Sequence, residues 1–498
     1  MRMNLKQIAQ CTGAQAVVEP IDPRAIACGV TWDSRDVAAG DVYVALPGER
    51  ADGHDFVASA LRQGALGALV MQPLDDGVLS LARELGAAVL EVPDTAHAVE
   101  DMAAQWRQHL TGKVVAITGS TGKTTTKNLV RDVAASCFTV CATQGNQNNE
   151  LGVPKTVLRA EADTQVVVVE MGMRGAGQIT ALCDYVRPDW GVVVNVGEAH
   201  IELLGSRENI ARAKAELLCA LPEGSGKAFV NADDDFADLM ATVSNLHARL
   251  VEEVFFDGSP SATDRHLSCL DAHPADRDHR VWATDVALDD QGRPSFLLHC
   301  RGFLEGEPWV EETCPCALAL RGAHNVSNAC AAAAVGRALG IPLEVCVEAL
   351  SRSLPEAGRQ EVLEGRGGFT VINDAYNANP ESMRASLSTF ASVDVAGRRM
   401  AVLGDMGELG DFAEACHRGV GRFAASQGID CLVCVGPLSA FIAEGALAAG
   451  FPEQDLVRCD TVADVLAYLE PLLEPGDAVL VKASHSMGLN RVAEGLVA

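Results

Sequence analysis

The chain has 498 residues, of which 48% are hydrophobic and 21% charged, a length that suits about three globular domains. This composition excludes a disordered tail protein and a small disulfide-stapled domain. The formal net charge of −28 repels nucleic acid phosphates, and aromatic residues make up only 5%, so we expect no nucleic-acid partner. Apolar runs fall short of the roughly 18 residues that span a bilayer, and the first residues lack the apolar core of a signal peptide. We expect a cytoplasmic, monomeric protein without membrane insertion.

The predicted elements change character along the chain. The first hundred residues contain short β-like runs separated by glycine and proline, and from Lys113 apolar strands alternate with alanine-rich helical stretches, as in a parallel sheet covered on both faces. Polar residues over 255–316 predict a β-rich excursion, followed by a helix at 326–339. A second α/β series begins after the linker LPEAGRQE, which contains Pro355. The sequence therefore predicts three α/β domains, over residues 1–110, 111–356 and 357–498.

Sixteen cysteines are scattered along the chain, and two pairs have close spacing. Cys431 and Cys434 lie inside the apolar run CLVCVG, where residues three apart point to opposite faces of a strand. Cys314 and Cys316 have no nearby histidine or second cysteine pair to complete a metal site. We predict free and mostly buried thiols.

The strongest chemical signal is the segment TGSTGKTTT at 118–126, between the apolar run VVAIT and a helical stretch. Its glycines let backbone N–H groups surround phosphates, and the helix N-terminus adds positive potential. Lys123 can neutralise the β and γ oxygens, and Thr124 can bind Mg²⁺. Ile117 stands where the general motif has its first glycine, so this is a shortened variant. The predicted nucleotide phosphate site is formed by Gly119, Ser120, Thr121, Gly122, Lys123, Thr124 and Thr125.

Polar side chains follow two further strands of the same predicted sheet. Glu170 ends the run VVVVE, and His200 comes shortly after VVVNVG. Ligands of open α/β sheets collect at the carboxyl ends of the strands. A carboxylate and an imidazole beside a polyphosphate therefore predict ligands of a divalent cation.

Lys214 lies on the apolar stripe of the predicted helix SRENIARAKAELLCAL, in which Ser206 can form the N-cap. A lysine in such a stripe can extend its amine to solvent. It can also be a desolvated amine that serves the site. The spacing leaves both interpretations open.

Two clusters are rich in side-chain amides, at 322–328 and at 373–380. Asparagine offers a donor and an acceptor, which suits adenine, ribose and peptide groups. The same residues are also typical of helix caps and Asx turns. Both interpretations stay open from the sequence.

Longer motifs carry a resemblance to a known family. The phosphate loop with GNQNNELGVP (145–154), EMGMRGAGQI (170–179) and GEAHIELLGSRENIARAKAEL (197–217) resembles the Mur ligases of bacterial cell-wall synthesis. The segments RGAHNVSNACAAAA, NDAYNANP and LGDMGELG, with DSRDVAAGDVYVALPGERADGHDF near the N-terminus, are most similar to the branch that adds D-alanyl-D-alanine. The resemblance covers nearly the whole chain and is weakest across 235–315.

The resemblance implies an α/β fold with an N-terminal UDP-sugar-binding domain, a central P-loop ATPase domain with a parallel sheet and a C-terminal Rossmann-like domain. It implies an ATP- and Mg²⁺-dependent ligase that joins D-alanyl-D-alanine to UDP-N-acetylmuramoyl-tripeptide through an acyl phosphate. A sibling Mur ligase and a folylpolyglutamate synthetase are alternatives within the enzyme class. A P-loop nucleotide switch is the alternative from another class, although the chain has no N-K-x-D guanine motif.

The resemblance also implies roles for individual residues. Lys123, His200 and Lys214 would be catalytic, and Lys214 would be carbamylated. The metal ligands would be Thr124, Glu170, His200 and the carbamylated Lys214. ATP would contact the phosphate loop with Asn325, Arg359 and Asp374. The substrate-binding positions would be Ser34, Arg35, Asp52, His54, Asn146, Asn149, Asn377 and Asn379.

The chain departs from the family pattern near its C-terminus. The segment Lys482-Ala483-Ser484-His485 resembles the family's K-G-S-R, with alanine and histidine in place of glycine and arginine. Asn490 stands near the place of a family glutamate. Because histidine titrates near 6.5, substrate affinity is expected to depend on pH if His485 contacts the substrate. These changes concern fine specificity rather than reaction type.

Overall fold

A computed structural model describes residues 1–48, 51–262, 279–303 and 310–497. Three separate β-sheets follow one another along the chain, and helices cover their faces. The predicted three-domain α/β class is thus confirmed, whereas the boundaries at 110 and 356 stay predictions. In the described ranges, every helix is too short or too polar to cross a membrane.

The N-terminal domain contains a five-stranded sheet in the order β1-β5-β4-β3-β2, parallel except for the pair of β1 and β5. Its strands are β1 (Gln15–Val18), β2 (Gly29–Thr31), β3 (Asp41–Val44), β4 (Gly67–Val70) and β5 (Ala88–Glu91). Its helices are α1 (Leu5–Thr12), α2 (Val57–Arg62), α3 (Asp76–Leu85) and α4 (Thr95–Arg107). Helix α4 joins this domain to the next, because Trp106 Nε1 donates to Ala160 O at 2.8 Å and Arg107 pairs with Asp189 at 3.1 Å.

The central domain contains a nine-stranded sheet in the order β14-β13-β12-β11-β10-β9-β6-β8-β7. Its strands are β6 (Lys113–Thr118), β7 (Val140–Ala142), β8 (Val166–Glu170), β9 (Trp190–Val193), β10 (Lys227–Asn231), β11 (Glu252–Asp257), β12 (His279–Leu288), β13 (Pro294–Arg301) and β14 (Glu311–Ala317). Its helices are α5 (Lys123–Ala135), α6 (Gly152–Arg159), α7 (Gln178–Val186), α8 (Ile201–Leu204), α9 (Arg207–Cys219), α10 (Ala237–Val243), α11 (His324–Ala338) and α12 (Leu343–Arg352).

The sequence pattern explains this sheet. Strands β6, β8 and β9 pair in parallel and are buried on both faces, as their continuous apolar runs predict. The predicted β-rich excursion extends the same sheet, where β12, β13 and β14 pair antiparallel. The predicted helix at 326–339 is α11, which begins two residues earlier at His324. Parts of that excursion, 263–278 and 304–309, lie outside the described residues.

The C-terminal domain contains a six-stranded sheet in the order β15-β16-β20-β17-β18-β19, parallel except for β15 against β16. Its strands are β15 (Glu361–Glu364), β16 (Thr370–Asn373), β17 (Arg399–Gly404), β18 (Cys431–Val435), β19 (Leu456–Cys459) and β20 (Ala478–Lys482). Its helices are α13 (Pro380–Ser392), α14 (Ala413–Ala424), α15 (Ser439–Ala448), α16 (Val462–Leu469) and α17 (Asn490–Val497). The described cysteines are all free, and more than half of them are buried, as predicted.

The C-terminal domain lies against the central one. Asp394 N donates to Asp290 O at 2.7 Å, and Arg384 pairs with Glu198 at 3.8 Å. Glu381, at the start of α13, lies close to Gly197 of the central domain. A Cβ added at Gly197 would lie 1.9 Å from Glu381 Oε2. The carboxyl ends of β6 and β16 therefore face a common space.

Helices α14 and α15 pack closely because each contributes a glycine to their contact. A Cβ at Gly421 would lie 1.9 Å from Ile442 O, and one at Gly445 would lie 2.2 Å from Arg418 O. Backbone atoms cannot move aside as the end of a flexible side chain can, so this packing tolerates no methyl group.

We expect Gly421→Ala to lower the free energy of unfolding by about 1–3 kcal/mol, as overpacking does. Chemical unfolding followed by circular dichroism measures it. Gly419→Ala is the matched control on the same helix, because its added Cβ would meet no atom closer than Arg422 Nη2 at 3.9 Å. Equal effects of the two substitutions would contradict this account of the helix contact.

Candidate functional site

A cavity of about 1740 Å³ lies between the central and C-terminal domains. It brings together residues that the sequence analysis selected from distant segments of the chain. Those that line it are Ser120, Thr121, Gly122, Lys123, Thr124, Thr125, Asn146, Asn149, Glu170, His200, Asn325, Arg359, Asp374, Asn377 and Asn379. The candidate residues that line the cavity thus come from two domains.

The phosphate loop has the predicted position between β6 and α5. Gly122 has φ 74°, and a Cβ there would lie 2.7 Å from Asn328 Oδ1, so glycine is required. Lys123 Nζ donates to Gly119 O at 2.8 Å and to Ser120 O at 3.3 Å. Burial lowers the pKa of Lys123, and the nearby carboxylate of Glu170 opposes this shift. The lysine lies at the cavity wall, close to the loop that it would assist.

Asn195 supports this loop, and sequence reasoning missed it. Its Oδ1 accepts from Ser120 N at 3.0 Å and from Thr121 N at 2.9 Å, and its Nδ2 donates to Thr121 Oγ1 at 2.8 Å. The available signal was its place directly after the run VVV of β9, which neighbours β6.

Glu170 ends β8 and is buried beside the loop. Its Oε1 accepts from Thr124 Oγ1 at 3.2 Å and from Asn148 Nδ2 at 2.8 Å. Its Oε2 is buried and has no hydrogen-bond partner among the described residues. A buried carboxylate oxygen without a partner costs free energy, which a bound cation would offset. Glu170 and Thr124 therefore fit a divalent cation, and Asn148 is a further residue that the sequence analysis missed.

His200 follows β9 and forms the N-cap of α8 in a left-handed conformation, with φ 66°. Its Nδ1 lies 2.6 Å from Glu408 Oε2 of the C-terminal domain. Glu408 was not among the predicted site residues, although it belongs to the motif LGDMGELG. The imidazole thus contacts the second domain while lining the cavity.

Lys214 lies on α9 as predicted, with the Ser206 hydroxyl accepting from Asn209 N at 3.2 Å as the N-cap. Its side chain is buried, so the interpretation that it extends to solvent is wrong. Burial, assisted by Lys123, lowers its pKa well below the usual value. Unlike His200, Lys214 is not among the described residues that line the cavity.

On the C-terminal side, Asp374 follows β16 and its carboxylate is already engaged. Oδ2 accepts from Lys482 Nζ at 2.7 Å and from Gln360 Nε2 at 2.9 Å. The Arg359 guanidinium lies 4.1 Å from the centre of the Tyr376 ring, a cation–π contact. Lys482 and Tyr376 line the cavity, although neither was a predicted site residue.

Several asparagines serve the backbone. Asn379 is the N-cap of α13, where its Oδ1 accepts from Ser382 N at 2.9 Å. Asn149 Oδ1 accepts from Gly152 N at 3.0 Å, and Asn377 Oδ1 accepts from Ala378 N at 2.9 Å. For Asn379 the interpretation as a helix cap is confirmed.

Asn325 lies at the start of α11 and is held within the central domain. Its Nδ2 donates to Arg321 O at 2.6 Å, and its Oδ1 accepts from Asn328 Nδ2 at 2.8 Å. Asn146 contributes to the cavity wall through the loop before α6.

The structure places the N-terminal candidates away from the cavity. Asp52 Oδ1 accepts from His54 N at 3.0 Å and lies 2.6 Å from His54 Nδ1, while His54 Nε2 accepts from Met71 N at 3.0 Å. Arg35 pairs with the neighbouring Asp33 at 2.6 Å. These residues and Ser34 belong to turns of the N-terminal domain, and their contact with a substrate stays a prediction.

Two of the three departures from the family pattern, His485 and Asn490, differ in position. His485 lines the cavity, with its ring centre 5.8 Å from that of Tyr376. Asn490 begins α17 and donates to Glu494 Oε1 at 2.8 Å, and it is not among the described cavity residues. Only His485 is therefore placed to influence a ligand directly.

Three family models match successive parts of the chain. They are the Mur ligase family catalytic domain over 27–107, the Mur ligase middle domain over 117–336 and the Mur ligase glutamate ligase domain over 358–485. The chain belongs to the Mur ligase family.

Relatives match over the full length. A UDP-N-acetylmuramoyl-tripeptide--D-alanyl-D-alanine ligase of Mycobacterium tuberculosis is 38% identical over 532 aligned positions, which cover 100% of this chain and 98% of the relative. The Bacillus subtilis enzyme of the same name is 32% identical, with 100% and 99% covered. Among this family's members, the similarity thus extends through all three domains.

Solved structures of Mur ligases show the same similarity over nearly the full length of the chain. A crystal structure of MurF from Acinetobacter baumannii has a TM-score of 0.81 at 29% identity and covers 100% of this chain and 99% of its own. The MurF ligase of Thermotoga maritima, solved in complex with ADP, has a TM-score of 0.72 at 25% identity, with 94% and 96% covered. This Mur ligase therefore shares the whole architecture of those enzymes.

We expect Lys123→Ala to lower the rate of ligation by about 100-fold or more, because loss of one preorganised donor to developing charge costs that much. Unfolding should be unchanged, since the hydrogen bonds of the amine to described residues go to loop carbonyls. Steady-state kinetics and thermal unfolding measure the two effects. Lys6→Ala, which removes an exposed lysine from α1, is the charge-matched control. A Lys123→Ala protein with a tenth of the original turnover would contradict the assignment.

Proposed function

We propose that this Mur ligase joins D-alanyl-D-alanine to UDP-N-acetylmuramoyl-tripeptide and converts ATP to ADP and phosphate, as a cytoplasmic step of peptidoglycan precursor synthesis. The observation that carries the proposal is the single cavity shared by the phosphate loop and the C-terminal wall of Arg359, Asp374 and Lys482. Full-length similarity to ligases of that name supports the choice of substrates.

The reaction has two bond-forming steps. An oxygen of the tripeptide's terminal carboxylate attacks the γ-phosphorus, the bond from phosphorus to the β-γ bridging oxygen breaks, and ADP leaves. The amine of D-alanyl-D-alanine then attacks the acyl carbon, loses a proton and expels phosphate. Two anions must approach each other in the first step, so positive charge from Lys123 and the amides of the phosphate loop lowers its barrier.

Thr124 and Glu170 would hold one magnesium ion beside the phosphates. The unpaired Oε2 of Glu170 and its buried position support this assignment. His200 and a carbamylated Lys214 would serve a second ion. A divalent cation bound at this site would neutralise part of the phosphate charge.

Lys214 suits carbamylation because its amine is buried and its pKa is lowered by that burial. The neutral nitrogen would add to the carbon of CO₂ and lose a proton, which gives a carbamate. A cation thereby becomes an anion. This change would replace the repulsion between Lys214 and Lys123 with attraction.

The nucleotide would lie along Asn325, Arg359 and Asp374, which converge on the cavity from two domains. Asp374 would release Gln360 and contact the ribose instead. It would keep its contact with Lys482. The peptide end of the acceptor would face Asn146, Asn149, Asn377 and Asn379, and its UDP-sugar end the turns with Ser34, Arg35, Asp52 and His54.

The assay that tests the proposal measures phosphate release in the presence of ATP, magnesium and UDP-N-acetylmuramoyl-tripeptide. We expect rapid release only when D-alanyl-D-alanine is also present, because the second step requires its amine. Single amino acids, glutamate among them, are the comparison substrates. Faster turnover with one of them would favour a sibling ligase or a folylpolyglutamate synthetase, and slow release independent of any amine would favour a nucleotide switch.

The carbamate is tested through Lys214→Ala. We expect activity to fall by about 10- to 100-fold, as loss of support for a metal does, and formate or acetate to restore part of it by occupying the vacated place. Lys214→Arg keeps the charge and cannot form the lysine carbamate. A fully active Lys214→Arg protein would show that the carbamate is not required.

A further inference from the structure

The loop after β17 carries a glutamate that crosses the boundary between two domains. Glu408 belongs to the C-terminal domain, and its partners His200 and Arg174 belong to the central one. Its Oε2 lies 2.6 Å from His200 Nδ1, and its Oε1 lies 3.3 Å from Arg174 Nε. One carboxylate thus contacts two side chains of the facing domain.

The C-terminal domain holds this loop firmly. Met406 N donates to the buried His417 Nε2 at 3.0 Å, and Gly407 N donates to Ser484 Oγ at 2.8 Å. These bonds fix the backbone immediately before Glu408. The carboxylate therefore approaches the central domain from a rigid base rather than from a free loop end.

The backbone of Glu408 is strained. Its φ of 59° lies in the left-handed region, which glycine adopts readily and glutamate does not. Such strain persists where the surroundings enforce it and is concentrated at functional sites. A glycine would relieve the strain but would lose the contact to His200, so the side chain itself has a use.

The contact determines which nitrogen of His200 remains available. With Nδ1 against Glu408, Nε2 is the nitrogen left for a ligand in the cavity. Histidines that bind metals usually donate their other ring N–H to a carboxylate or carbonyl, which fixes the ring and raises its basicity.

We propose that Glu408 is a positioning residue that couples the C-terminal domain to cation binding in the central domain. Its carboxylate reaches His200 across the domain boundary and would hold the imidazole so that Nε2 stays available to a cation. This inference rests on the cation role proposed above for His200. Arg174 contributes less, because its side chain is 74% exposed and solvent screens the pair.

The test uses Mn²⁺ as the probe, with binding followed by electron paramagnetic resonance in the presence of ADP. We expect Glu408→Gln and Glu408→Gly to bind Mn²⁺ about 10-fold more weakly, as other changes behind a metal ligand do. Glu408→Gly should unfold at the original temperature or above, because glycine relieves the positive φ. Glu444→Gln is the matched control, since Glu444 pairs with Arg418 at 2.6 Å within the C-terminal domain.

Kinetics provide a second readout. The magnesium concentration for half-maximal activity should rise in both Glu408 variants, while KM for ATP should change little because the phosphate loop is intact. Arg174→Gln should produce a smaller rise.

His200→Ala separates this proposal from the one on which it rests. Weaker Mn²⁺ binding by His200→Ala with unchanged binding by both Glu408 variants would overturn the role of Glu408 and leave the function standing. Unchanged binding by His200→Ala would overturn both cation roles, whereas the ligation assay tests the reaction itself. Comparable losses in His200→Ala and the Glu408 variants would support the coupling.

Discussion

This protein must hold a polyphosphate within a chain whose formal net charge is −28. Overall electrostatics oppose that binding, so the positive potential has to be local. In the proposed function, the phosphate loop supplies it through backbone N–H groups, the N-terminus of α5 and the amine of Lys123. Every other part of the site is arranged around this loop.

The parallel sheet determines which side chains can reach the loop. Strand β6 lies between β8 and β9, so the residues that follow these three strands meet at one edge. Glu170 and Asn195 thereby contact the loop or its helix directly. His200 lies a few residues farther and faces the second domain.

The second domain supplies the opposite wall by the same principle. Strands β16 and β20 are parallel neighbours, and Asp374 and Lys482 at their ends form a buried ion pair of 2.7 Å. Breaking such a pair leaves an uncompensated charge, which keeps the two groups together. The two sheets thus present their carboxyl ends to one cavity, and neither domain forms the whole site.

The features that the sequence predicts are those that depend on residues close together in the chain. The phosphate loop depends on glycine and lysine spacing within one turn, and the place of Lys214 on its helix depends on a helical stripe. The fold class follows from alternating apolar strands and helices, and the family motifs extend it to three domains. Each of these signals lies within about 20 residues.

The contacts that sequence reasoning missed join distant segments. Asn195 contacts Ser120 across 75 positions, and Glu408 reaches His200 from another domain. Asn148 was passed over for its neighbours Asn146 and Asn149, because one loop offered three similar amides and only tertiary structure selects the one that contacts Glu170. Asn379 was selected for chemistry, yet it caps a helix. Residue type alone does not separate these roles.

The central claim is that nucleotide binds to both domains at once, and backbone hydrogen exchange tests it most directly. The account predicts that a nonhydrolysable ATP analogue with magnesium slows exchange both in the phosphate loop, at 119–125, and in the C-terminal wall, at 374–378. Helix α16 lies outside the described cavity and should exchange as before. Protection confined to the phosphate loop would contradict the account, because the C-terminal wall would then take no part in binding the nucleotide.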